Sequence, residues 1–199
     1  MPVRVDHDAR RTQIIDGLLA LAADRGLGEV TMRGVADAAG VSLRLVQYYF
    51  GTKELLIAAA MDHLARSSEQ RLRERVDALT EPVTSRALIE AYLAEALPDD
   101  PPSRQFHLVF RAFLALAATT RSPLRSPADG VRINRNRLLG ILTEAAQSGE
   151  LTPGHDPALE TDRLMALEHG IGTGILIGLY TPQTVAPILA QHLDELFTA

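Results

Sequence analysis

Arg44, Gln47 and Tyr48, with Lys53 close behind them, are the side chains of this 199-residue chain whose types and spacing suit a definite chemistry. An arginine fits the O6/N7 edge of guanine and a glutamine the N6/N7 edge of adenine, while tyrosine hydroxyls and lysine ammonium groups bind phosphate oxygens. Leu43 adds an apolar surface of the kind that packs on a thymine methyl. A helix exposed only to water would carry Glu and Lys pairs on that face, and none occurs between Ser42 and Phe50. The chemistry implied is hydrogen bonding to double-stranded DNA, with no bond made or broken.

Those side chains need an element to present them, and the surrounding residues spell one out. Thr31 is a cap for a short helix whose apolar positions Val35, Ala36 and Ala39 share one face. Gly40 stands where a helix end needs a left-handed residue, Val41 plugs the corner, and Ser42 caps a second helix over Leu43 to Tyr49. Val46 and Phe50 turn inward, which leaves Arg44, Gln47 and Tyr48 outside. Helix, short glycine-bearing turn, helix is the helix-turn-helix unit, whose second helix enters the major groove. Arg33 at the first helix start, Thr31 and Ser42 at the two caps, and Tyr49 complete the expected DNA face. Arg4, Arg10 and Arg11 are further cations available to it.

The run from Thr31 to Leu56, with its GVS turn, its aromatic stretch ending at Phe50 and the following TKELL, resembles the TetR family of bacterial transcriptional regulators. Arg10 to Gly26, RRTQIIDGLLALAADRG, is similar to that family's first helix and its exit. The resemblance implies an all-α chain with a three-helix DNA-binding domain over residues 1–55. A helical effector-binding and dimerisation domain over 56–199 would follow. It also implies a homodimer on a near-palindromic operator, released when a small molecule enters the C-terminal domain. Lys53 matches a phosphate-contacting lysine, and Tyr48 and Tyr49 match positions that touch backbone or bases. Two positions depart from the family: Arg44 replaces a small residue or glycine, and Gln47 a tyrosine. Gly34 stands where an acidic residue would close a capping box, so Thr31 must cap alone.

Net charge is −5, and its distribution fits a DNA-binding head on an acidic body. Residues 1 to 60 hold seven basic and seven acidic side chains, and residues 61 to 199 hold thirteen basic against eighteen acidic. With no cysteine there is neither a disulfide framework nor a thiolate metal site, and no cofactor is implied. The start MPVRVDHDARR lacks a signal-peptide core, and the apolar stretch around Ile171 to Tyr180 is too short for a bilayer. A cytoplasmic location is expected. No E-x-x-H pair, H-E-x-x-H, G-x-S-x-G or P-loop occurs, so catalysis is not expected.

Beyond Lys53 the chain reads as long helices separated by prolines: about Thr52 to Leu79, Thr84 to Leu97, Ser103 to Thr119, Ala128 to Ser148, Ala158 to Tyr180 and Thr184 to Phe197. Gly170, Gly174 and Gly178 recur every four residues, and Val185, Ile188, Leu189, His192, Leu193 and Leu196 make an apolar stripe on the last helix. Together they are the expected dimer interface, as a four-helix bundle about a two-fold axis. Expected effector contacts are Tyr92, Phe106, His107, Phe110, Arg111, Phe113, Met165, Glu168 and His169, with core packing the competing role for the aromatic residues. The alternative to a regulator is a dimeric small-molecule-binding protein whose head has no specific DNA binding.

Overall fold

The computed structural model describes residues 3–119 and 127–198. Within them lie α1 (Val3–Arg25), a 3-10 turn (Leu27–Glu29), α2 (Met32–Ala38), α3 (Leu43–Phe50), α4 (Lys53–Asp77), α5 (Ser85–Ala96), α6 (Pro101–Thr119), α7 (Pro127–Ser148), α8 (Pro157–Leu176) and α9 (Pro182–Leu196). Among the described residues the only extended pairing is an isolated bridge between Leu151 and Phe197. The proline break expected at 121–126 and the side chain of Arg4 lie outside the described residues.

The chain forms two compact units, Met1–Ser67 with Gln105–Pro127, and Ser68–Arg104 with Ala128–Ala199. The division falls inside α4 and α6 rather than at residue 55, and α4 contributes apolar side chains to both cores. In α4, Leu56, Ile57, Ala60, Met61 and Leu64 join the first core and Leu72 the second. The first core unites Ile14, Leu18, Val30, Val35, Val46 and Phe50 with Val109 and Phe113 of α6. The second gathers Ile89, Tyr92, Leu138, Leu142, Leu164, Leu193 and Leu196, with a smaller cluster of Leu97, Ile171, Ile175 and Val185 beside it.

Helix ends in α6, α8 and α9 are among those that differ from expectation. α8 stops at Leu176, so Gly178 lies beyond the helix and does not continue a glycine face. At φ +77° it is the left-handed residue of a two-bond helix stop: Leu179 N–H donates to Gly174 O at 2.8 Å and Gly178 N–H to Ile175 O at 3.2 Å. Gly174 is buried under the Tyr180 ring, in space that a Cβ would fill. α9 is capped by Thr181, with Thr184 as the reciprocal member of a capping box and Pro182 in the first turn. Pro187 is consequently inside the helix and outside the first turn. α6 begins two residues before Ser103, at Pro101, where Asp100 and Ser103 bond reciprocally across the helix start.

Candidate nucleic-acid interface

The caps and the turn read between Thr31 and Phe50 take physical form. The Gly34 N–H donates to Thr31 Oγ1 at 3.0 Å, closing the start of α2. At its end Gly40 has φ +65°, Val41 N–H donates to Ala36 O at 2.9 Å and Gly40 N–H to Asp37 O at 3.2 Å. This is the Schellman stop, in which two orphan carbonyls gain donors. Ser42 Oγ then accepts from the Leu45 N–H at 3.2 Å to open α3. Gly34 has a packing reason as well: a Cβ there would sit 3.0 Å from Leu21 Cδ2 and 3.1 Å from Thr31 Oγ1.

α3 buries Val46 and Phe50 and exposes Arg44, Gln47 and Tyr48, with Tyr48 72% accessible. Leu43 is half-buried against the head core. Arg33 is exposed on α2. The side chains of Arg33, Arg44 and Gln47 make no hydrogen bond or ion pair with any described residue. Tyr48 meets Tyr49 edge-on, with ring centroids 5.3 Å apart. Lys53 is half-buried, and its ammonium donates to Gly28 O at 3.4 Å, so the expected phosphate ligand rests on a neighbouring carbonyl.

Sequence reasoning missed the part played by α1. Arg11 Nη1 donates to the Tyr49 carbonyl at 3.2 Å, and its guanidinium carbon lies 4.7 Å from the Phe50 ring centroid. Gln13 Nε2 donates to the Ala39 carbonyl at 2.7 Å, while Arg10 Nη1 donates to Gln13 Oε1 at 2.9 Å. His7 Nδ1 and the Tyr49 hydroxyl are 3.1 Å apart. Gly17 lets α1 come this close, since a Cβ at that position would lie 2.8 to 3.0 Å from Ala39 backbone and side-chain atoms. Arg10 and Arg11 therefore hold protein groups while remaining exposed. The readable signal was Gln13, a half-buried polar residue directly before the core positions Ile14 and Ile15.

The expected effector residues divide between the two units. Phe106, His107, Phe110, Arg111 and Phe113 lie in the first. Phe113 is buried in its core, and the Phe106 and Phe110 rings stack with centroids 5.6 Å apart. Tyr92, Met165, Glu168 and His169 lie in the second. Glu168 is 4% accessible, with His169 Nδ1 3.1 Å from its carboxylate. Burial first, and the Glu168 charge second, push the Tyr92 phenol well above its ordinary value, so it stays a neutral donor.

The expected dimer stripe also divides. Val185, Leu193 and Leu196 are buried in the cores of their own unit, and Leu189 is half-buried. Ile188 and Gly170 are exposed, and His192 is half-buried with its Nε2 enclosed and unbonded. The periodicity marked the packing face of α9, and that face meets its own unit.

A capped turn between two short helices, with base-matching side chains facing outward, defines a helix-turn-helix DNA-binding regulator. Comparison with known proteins agrees over both parts of the chain. Residues 14–60 match the family described as bacterial regulatory proteins, tetR family, and residues 85–198 match that described as BetI-type transcriptional repressor, C-terminal. The chain belongs to the TetR family of transcriptional regulators. It is 25% identical over 198 residues to the HTH-type transcriptional regulator PksA of Bacillus subtilis, covering 98% of this chain and 94% of that protein. With the HTH-type transcriptional regulator BetI of Brucella anthropi it shares 28% identity over 163 residues, 82% of each chain. In fold it is similar to a transcriptional regulator from Saccharomonospora viridis solved in complex with choline. That likeness has TM-score 0.82 and 18% identity, covering 96% of this chain and all of the other.

Proposed function

We propose that this regulator is a homodimeric repressor that reads its operator through Arg44 and Gln47 and leaves it when a small molecule binds the C-terminal unit. The observation that carries the reading is that the side chains of Arg33, Arg44 and Gln47, on the outward side of the head, have no partner among the described residues. Charged and amide groups left free on a capped, well-packed element suit an external ligand with fixed hydrogen-bonding edges. In this reading Arg44 and Gln47 face bases, Leu43 a thymine methyl, and Arg33, Tyr48 and Lys53 the phosphates. Thr31, Ser42 and Tyr49 lie alongside, chiefly occupied with caps and with α1. The same free groups weigh against a head without DNA specificity.

The dimer is assigned to the outward sides of α8 and α9, at Gly170, Ile188 and the edge of His192, with Ile177 and Leu179 exposed nearby. Two copies would present two heads to half-sites about 34–36 Å apart. For the effector, the buried Glu168 carboxylate and the neutral Tyr92 hydroxyl favour a small cation, in keeping with the choline held by the Saccharomonospora viridis protein. Release then follows from tighter binding of that cation to the DNA-incompetent form.

Selection of bound sequences from random duplex DNA tests the reading. A two-fold symmetric site should be enriched, and Arg44→Ala or Gln47→Ala should each cost about 1–3 kcal/mol at particular base positions. An unchanged sequence preference in both variants would remove base readout from α3.

A further inference from the structure

The side chains α1 turns toward the two short helices all end on groups that fix where those helices point. Tyr49 and Phe50 close α3, and the Tyr49 carbonyl is among those with no acceptor role inside so short a helix. Arg11 supplies the missing donor at 3.2 Å, brings a positive charge to the negative end of the helix, and lies over the Phe50 ring at 4.7 Å. Gln13, held by Arg10, supplies a donor to the Ala39 carbonyl at the start of the turn. His7 takes hold of the Tyr49 hydroxyl. The turn between Ala39 and Leu43 and the last residues of α3 are thus both pinned to one neighbouring helix, which Gly17 allows to approach within contact distance.

We propose that Arg11 is a positioning residue for sequence recognition: by tying the Tyr49 carbonyl and the Phe50 ring to α1 it sets the tilt at which α3 offers Arg44 and Gln47 to the bases. It touches no DNA in this role. The inference rests on base readout by α3. A bidentate contact to a base edge depends on direction, whereas a phosphate contact tolerates a small swing of the helix. Loosening the C-terminal end of α3 therefore weakens the contacts that carry sequence information and spares those that do not.

The test measures affinity for the selected operator and for a scrambled duplex of the same length, over a range of salt, in the full-length protein. Arg11→Met keeps a long apolar stem over Phe50 and loses the donor and the charge. Arg11→Lys keeps one donor and the charge. We expect Arg11→Met to bind the operator about ten-fold more weakly, with scrambled-duplex affinity and both salt slopes unchanged, and Arg11→Lys to fall between it and the native protein. A loss shared equally by the two duplexes overturns the proposal, and a salt slope lower by about one would assign Arg11 to a phosphate instead. Unchanged operator affinity also overturns it, including where only the melting temperature falls. Failure of the underlying reading has a separate signature: Arg44→Ala and Gln47→Ala would leave sequence preference intact whatever Arg11→Met does.

Discussion

The two units differ in how they use arginine, since only the first leaves some of it without a described partner. In the second, every described arginine is engaged. Arg71 and Arg75 hold Glu95, Arg86 holds Glu90 and Asp194, Arg135 holds Asp162, and Arg137 and Arg73 hold Glu69. Arg132 pairs with Asp129, Arg163 with Glu160, and Arg104 donates to the Leu176 carbonyl. In the first, Arg33, Arg44 and Arg66 have no described partner, and two of these three lie in the helix-turn-helix unit. Composition alone shows one basic residue type spread over the chain. Its partners show that in the second unit arginine serves the fold, whereas Arg33 on α2 and Arg44 on α3 have no described partner, as the proposed DNA contact requires.

Exchanging the two behaviours should exchange the losses. Arg71→Met removes the 2.6 Å and 3.2 Å bonds to a Glu95 carboxylate that is 7% accessible and leaves it to Ser68 and Arg75. Breaking a buried pair in this way should cost about 2–4 kcal/mol of stability in denaturant titration, with operator preference among the surviving molecules unchanged. A variant that kept its stability and changed its DNA preference would invert the comparison.

Tyr92 sharpens the same contrast through pH. Its folded-state ionisation is raised above the unfolded value near 10, so its contribution is complete below pH 10 and is lost as pH climbs past it. Above that point stability should fall by up to about 1.4 kcal/mol per pH unit for this one group, and Tyr92→Phe should flatten that slope in melts between pH 9 and 11. An identical slope in the variant would place the alkaline sensitivity elsewhere. The smallest effect is expected at Arg135 and Asp162. They meet at 2.7 Å, and Arg135 holds the Asp162 carboxyl below its ordinary range, yet both lie at the surface. Asp162→Asn should leave the thermal midpoint unmoved, since exposed pairs add little.

What could be read from the chain was whatever acts over three or four residues. Thr31, Gly40, Val41 and Ser42 specify two caps and a stop by their own side chains and dihedrals, and all four behave as read. Periodicity found the apolar stripe of α9 but could not say which surface it meets, because burial inside a subunit and burial between subunits demand the same spacing. The glycine run failed for a related reason. A helix stop and a helix face both accept glycine, and only φ at Gly178 distinguishes them. The grip of α1 on α3 was out of reach because it joins residues 38 and 42 positions apart through a carbonyl and a hydroxyl that any sequence or any tyrosine would supply.

Gly17 makes the head unequal in what it lets mutation explore. Arg44 and Gln47 have no described side-chain partner, so on the proposed reading exchanging them should change the operator and leave the fold intact. At position 17 the smallest possible enlargement, to alanine, drives a methyl into the backbone of Ala39. On that reading the side chains that meet the bases can change, while the contact of α1 with the turn leaves room for a single hydrogen atom.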